Sequence, residues 1–300
     1  MKIKLVVFSI LLSGIVIYTG FASESGKTGM SFLKVGIGAR PGGMGEAYSA
    51  VVDNALAAYW NPAGLASAEG SNATLVFNSW LLDVRSEFGA IQFKKHFALS
   101  IYNFHVGDIQ VRTIPSEHPL ETTSAQYLSF GATYARSLSQ NLDGGVTLKY
   151  LYEKIHVHAA SGFAVDLGVR YKLKEKNLYF AATIQNIGKM GKFENESTKL
   201  PLISRLGTMY KVPKEIGPMT LLFAVDLVKP LNENWRFNSG TEIAFWKQVI
   251  IRGGYMGGYE TRNVTFGLGV RKSSFHFDYS VTPLSDGLET AHHFSVDIKL

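Results

Sequence analysis

A side-chain period of two recurs down most of this 300-residue chain and restricts its fold more than any other feature. From Phe163 to Leu173 the odd positions (Phe163, Val165, Leu167, Val169, Tyr171, Leu173) are large and apolar, while the even ones (Ala164, Asp166, Gly168, Arg170, Lys172) are small or charged. Successive side chains of a strand point to opposite faces, so this is a strand with one greasy and one polar face. Val264, Phe266, Leu268 and Val270 repeat it, as do Phe275, Phe277, Tyr279 and Val281, and Leu221, Phe223, Val225 and Leu227.

Alternation alone fits a soluble sandwich, whose apolar faces form the core, as well as a membrane barrel, whose apolar face meets lipid. Composition separates the two. Charged residues are 18% of the chain and aromatics 12%, and the aromatics fall on nearly every strand. That is the demand of an outer-membrane barrel with interfacial aromatic girdles. Glycines at the polar-face positions suit a crowded lumen or a closely approaching plug. The N-terminus agrees: Met1-Lys2-Ile3-Lys4 precedes an apolar run from Leu5 to Ile17 and the small residues around Gly20 and Ala22. This pattern predicts an export signal, cleaved after Ala22. The run falls short of the ~20 residues of a spanning helix.

Strands are expected near 72–80, 86–94, 97–106, 125–136, 142–155, 160–173, 177–186, 201–211, 218–229, 234–245, 248–256, 262–271, 273–281 and 290–300. Residues 108–114, held between Gly107 and Pro115, are assigned to a loop, as are 114–124 and 187–200. The expected fold is therefore all-β, a transmembrane antiparallel β-barrel of about fourteen strands, an even number as single-chain bacterial barrels have. Residues 71–300 give each strand roughly sixteen residues, against the ~9–11 that a tilted strand needs to cross a bilayer.

Residues 23–70 do not alternate. The stretch Gly38-Ala39-Arg40-Pro41-Gly42-Gly43-Met44-Gly45-Glu46-Ala47-Tyr48 is followed by Asp53-Asn54-Ala55 and Trp60-Asn61-Pro62-Ala63-Gly64-Leu65-Ala66. Small residues let such a backbone pack closely against walls, and a barrel this wide has a lumen that its own side chains do not fill. The segment reads as an N-terminal hatch inside the barrel. Gly42, Gly43, Gly45, Asn61 and Pro62 are the candidates for setting its conformation, and Tyr48, Tyr59 and Trp60 for touching a ligand or the inner wall. Arg40 is placed to meet either a ligand carboxylate or a lumen Asp or Glu.

The run from Phe32 to Ala66 also resembles the N-terminal signature of the PorV/PorQ family, part of the wider FadL-like group of outer-membrane proteins. The similarity lies in Gly-Ala-Arg-Pro-x-Gly-Met-Gly-Glu-Ala-Tyr at 38–48, Asp-x-Ala at 53–55 and Trp-Asn-Pro-Ala-Gly-Leu-Ala at 60–66; Asn54 stands where the family commonly has a second aspartate. The resemblance implies a fourteen-stranded barrel with an N-terminal hatch. It implies one of two roles: a conduit for hydrophobic compounds such as fatty acids, or a component of type IX secretion that shuttles cargo or helps attach proteins at the surface. The expected partners are outer-membrane lipid, a hydrophobic small molecule and secretion-system proteins.

Other classes fit less well. Absence of cysteine excludes disulfide scaffolds, thiol nucleophiles and a lipidated cysteine. Without Lys2 and Lys4 the 30 basic residues become 28 against 24 acidic ones, or +4, and they are scattered rather than clustered as nucleic acid requires. No Gly-x-Ser-x-Gly, His-Glu-x-x-His or phosphate-loop motif occurs, so neither enzymatic activity nor a cofactor is expected. His156 with His158, and His292 with His293, are the pairs closest to metal-ligand spacing, and neither has a third ligand nearby in sequence.

Overall fold

The structure is a computed structural model. It describes residues 28–80, 84–94, 96–112, 119–193, 196–213, 215–285 and 287–300, so the expected signal segment 1–22 and Pro115 lie outside the described residues. Sixteen strands follow in order: β1 Asn72–Ser79, β2 Val84–Phe93, β3 Phe97–Val111, β4 Glu121–Ser137, β5 Leu142–Ile155, β6 His158–Leu173, β7 Leu178–Met190, β8 Lys192–Phe193, β9 Glu196–Ser197, β10 Ile203–Lys211, β11 Met219–Pro230, β12 Arg236–Phe245, β13 Val249–Gly257, β14 Val264–Lys272, β15 Phe275–Thr282 and β16 Ala291–Lys299. Fourteen of them, all but the β8–β9 hairpin, form a closed barrel with each strand beside its sequence neighbour. Closure is antiparallel, from Asn72 opposite Lys299 to Ser79 opposite His292. A closed ladder leaves no unpaired edge, the condition for a sheet to sit in lipid.

The direction in which the alternating faces point separates a barrel from a sandwich. On β6, Phe163 is 70% and Leu167 46% exposed, whereas Asp166 and Arg170 are 1% and 3% exposed. The greasy face lies outside and the polar face inside. The same holds on β14, where Phe266 and Leu268 are exposed and Thr265 is buried. These apolar residues gain from burial only if hydrocarbon surrounds the barrel.

All three expected loops give up residues to strands: 121–124 begin β4, and the other two lose residues at bulges. Residues Gly107–Val111 continue β3, because Asp108 takes a left-handed backbone (φ 50°) and the register with β4 shifts between Val106 and Ile109. An extra residue is absorbed and the strand runs on. Likewise Ile187–Met190 continue β7 past a register shift against β6 between Val165 and Leu167. Gln185 and Asn186 are both buried there, so two consecutive inward side chains interrupt the alternation and make the sequence look irregular.

One end of the barrel carries Asn72, Lys299 and short turns, such as 94–96, 246–248 and 273–274; the other carries longer connections, such as 112–120 and 283–290. Residues 28–71 run through the interior. The short helix Ala39–Gly43 packs on β13–β16, and the 3₁₀ turn Pro62–Ser67 packs on β4–β6 across the lumen.

Candidate functional site

Contacts between residues 28–68 and the inner wall form the site. Around Ala39–Gly43 the segment approaches β12–β16 backbone to backbone. A Cβ on Gly43 would lie 2.8 Å from Cα of Gly267, so glycine faces glycine across the contact. Gly45 adopts φ +61°, and a Cβ there would lie 2.7 Å from the Ser239 carbonyl oxygen. Only glycine accepts both the conformation and the proximity. A Cβ on Gly42 would lie 2.7 Å from Ser280 Oγ. Inward side chains then satisfy the segment's amides: Ala39 N donates to Ser295 Oγ at 2.7 Å and Gly45 N to Thr265 Oγ1 at 3.0 Å.

Arg40 anchors this region electrostatically. Its Nε and Nη2 donate to the two oxygens of Glu242 at 2.8 and 3.1 Å, and Nη1 donates to Asp53 at 3.0 Å. Glu242 also accepts from Arg252 Nε at 2.7 Å, and Arg252 Nη1 donates to Asp278 at 2.6 Å. Burial opposes the charge on Arg40, but the carboxylates of Glu242 and Asp53, with the Tyr48 ring, hold its pKa above the ordinary guanidinium value. The guanidinium is thus committed to protein carboxylates.

Tyr48 and Trp60 are completely buried and meet edge to face at 5.9 Å. The amides of Tyr48 and Ser49 donate to Asp226 Oδ2 at 3.3 and 3.0 Å. Trp60 Nε1 donates to the Ile37 carbonyl at 3.0 Å, and the Arg205 guanidinium lies 5.0 Å from its ring. Tyr59 OH donates to the Val35 carbonyl at 2.6 Å, while the Tyr59 carbonyl accepts from Gln185. Burial pushes the phenols of Tyr48 and Tyr59 above the ordinary tyrosine value. Asn61 caps the 3₁₀ turn, accepting from Ala63 N at 3.1 Å and donating to the Ser49 carbonyl at 2.8 Å. Pro62 fills the first position of that turn, where a missing N–H costs nothing. It reaches the wall at Gly145, where a Cβ would come within 2.5 Å of the Pro62 carbonyl carbon. All nine residues singled out in the sequence therefore lie in this one segment, and each has a contact that holds it in place.

Toward the long-connection end the character changes. Phe32 is buried in an aromatic chamber, with ring centroids 5.2 Å from Tyr102, 5.8 Å from Phe104 and 5.4 Å from Tyr127. Met30 and Leu33 are buried beside it. Sequence reading missed this chamber and also the roles of Arg205 and Arg252. The signal for the arginines was present, since both occupy inward positions of alternating strands; the meeting of Phe32 with β3 and β4 had no local signal.

The His292–His293 pair is divided between the two faces of its strand. His292 points outward to Tyr279 OH (2.8 Å) and His293 inward to Asn78 (2.9 Å), as adjacent strand residues must. His156 lies in the turn before β6, 3.1 Å from Glu121. Among the described residues, His276, Asp278 and Asp297 bring one donor atom each within 4.8 Å of one another. Arg252 already bonds Asp278, and Asn54 donates to Asp297 at 2.8 Å.

In comparisons with solved structures, the toluene transporter TbuX of Ralstonia pickettii aligns over 88% of this chain and 98% of its own, with TM-score 0.62 and 13% identity. The Pseudomonas putida toluene transporter TodX aligns over 87% and 96%, with TM-score 0.57 and 12% identity. At such identities the likeness is one of fold, that of an outer-membrane barrel. No curated protein sequence matches the chain. The family model described as type IX secretion system protein PorV matches residues 22–212, well over half the chain. With that match and its closed fourteen-stranded barrel, the chain belongs to the PorV family of outer-membrane proteins.

Proposed function

We propose that this protein is a non-enzymatic conduit that binds hydrophobic, fatty-acid-like small molecules and passes them across the outer membrane. On this reading residues 1–22 are an export signal removed on secretion, 23–70 are a hatch, and 71–300 are the barrel. The short-turn end faces the periplasm, where such barrels keep their short turns. The observation that carries the reading is the chamber around Phe32: aromatic rings of β3 and β4 enclose an apolar side chain of the hatch itself. A hydrophobe that displaces Phe32 exchanges one apolar occupant for another, so little solvation is lost, and the hatch is loosened as the ligand binds. The glycines at 42, 43 and 45 then seat the hatch, and Tyr48, Tyr59, Trp60, Asn61 and Pro62 shape it.

Native mass spectrometry of protein extracted gently from its own membrane tests this. A stoichiometric hydrophobe, lost when Phe32→Trp fills the chamber, is the expected result. An empty lumen with a co-purifying protein overturns it and favours the second reading, a non-enzymatic component of type IX secretion that shuttles cargo or helps attach proteins at the surface, which the family match supports.

A further inference from the structure

At the short-turn end the lumen opens into a cavity of ≈ 680 Å³ whose walls are strongly basic. Arg170, Lys172, Lys174, Lys211, Lys247 and Arg271 line it. Arg40 also reaches it, together with its two partners Asp53 and Glu242. Seven basic side chains thus face two carboxylates that Arg40 already engages. Beside the lining, the inward Asp143 is held by Ser67 and Ser137 and lies 2.6 Å from Lys172, and Glu215 lies 3.2 Å from Lys247 in an exposed pair. Among the described residues no carboxylate pairs with Lys174, Lys211 or Arg271.

Arg170 is the built element of the cavity. Its side chain is 4% exposed, and its Nη1 donates to the Val52 carbonyl at 2.8 Å, which fixes the guanidinium. Its Nε has no hydrogen-bond partner, and the nearest carboxylate oxygen, on Asp143, is 3.9 Å away. A buried donor without an acceptor is costly, and a guanidinium is most readily satisfied by a carboxylate or phosphate. Surplus positive charge in a concave site with low-dielectric walls focuses its field and concentrates anions there. The volume is within the range of small-molecule sites.

We propose that this vestibule binds a small anion, whose carboxylate or phosphate group is held by Arg170 with Lys174, Lys211 and Arg271. The site lies toward the opposite end of the lumen from the aromatic chamber and does not depend on the conduit reading. Its test uses the full chain in a neutral detergent, titrated calorimetrically with inorganic phosphate, dodecyl phosphate and, as the uncharged control, dodecanol. The wild type is expected to bind both phosphates, more weakly as salt rises and screens the field. Tighter binding of dodecyl phosphate assigns the site to an amphiphile's head group; equal binding assigns it to a free anion.

The paired substitution Lys174→Glu with Lys211→Glu reverses two exposed charges whose side chains bond no other described residue. It is expected to weaken phosphate binding at least tenfold while leaving dodecanol unaffected. No phosphate binding at low salt overturns the proposal. So does an unchanged affinity in a variant whose barrel still shifts on gels when boiled, or an equal loss for phosphate and dodecanol.

Discussion

Replacing Glu242 by Gln keeps the shape of the side chain and one acceptor oxygen but withdraws the charge that two guanidiniums share. In the native site Arg40 and Arg252 lean on Glu242, and Arg252 also has Asp278. After the change the four-membered chain holds two cations and one buried anion. Arg40 keeps only Asp53, whose side chain is 53% exposed and whose attraction water largely screens. Removing one partner from a buried ionic cluster costs about 3–5 kcal/mol. The retained acceptor places the loss near the lower figure, ~3 kcal/mol, or about two orders of magnitude in an equilibrium. The part of that loss carried by Arg40 falls on the docking of residues 28–68, and the part carried by Arg252, opposite Glu242 on β13, falls on the wall, whose backbone ladder is left intact. Limited proteolysis in detergent micelles reads it directly, because cleavage tracks the population of the open segment when reclosing is fast. Cleavage before Asn72 is expected to accelerate by about ten- to a hundredfold, the upper figure applying if the whole loss falls on docking, with an unaltered boiling-dependent gel shift of the barrel. Pairing Arg40→Met with Glu242→Leu is expected to cost less than Glu242→Gln alone, because no buried charge is then stranded. A cleavage rate within about threefold of wild type, or a double variant as damaged as the sum of its parts, would refute the reasoning.

Three further outcomes follow from the geometry. Gly45→Val puts a branched side chain at φ +61° against the Ser239 carbonyl and is expected to undock the N-terminal segment as thoroughly as Glu242→Gln, seen as the same proteolytic product. Leu268→Arg, on the exposed outer face of β14, is expected to destabilise the barrel by ~2–4 kcal/mol in bilayers, measured by reversible denaturant unfolding, if that position lies at mid-membrane. Because burial raises the Tyr48 and Tyr59 pKa values, the stability they contribute is complete below the unfolded tyrosine value of about 10 and is lost as pH rises through the folded values. Spectrophotometric titration should therefore leave these phenols silent at a pH where exposed tyrosines ionise, and their ionisation should coincide with release of the segment.

Much of the barrel was legible because a period of two is a local signal. β5 runs from Leu142 to Ile155 as its alternation indicates, and the fourteen-strand count rests on the same rule. Reading failed where a bulge changes the parity: at Gly107-Asp108 and at Gln185-Asn186 the chain spends an extra residue without leaving the sheet. The segment 38–66 was conspicuous by composition, since small residues gathered where no strand could form. What each of its residues touches was not legible. Arg40 meets Glu242 rather than another inward acid because of the barrel's circumference and register, which no stretch of sequence encodes locally. The vestibule illustrates the same limit: Arg170, Lys211 and Arg271 come from three separate hairpins, and only closure makes them neighbours.

The seating of the N-terminal segment also sets an order of events during assembly. Arg40 is 202 positions from Glu242, and Gly45 is 220 from the threonine that accepts its amide. The residues synthesised first thus find their partners only after the last strands exist, and contacts of such separation form slowly. Until then Phe32, Tyr48 and Trp60 lack the wall that covers them. Closure of the wall therefore has to come before the segment can be seated, so a barrel closed around an undocked segment is the expected last intermediate.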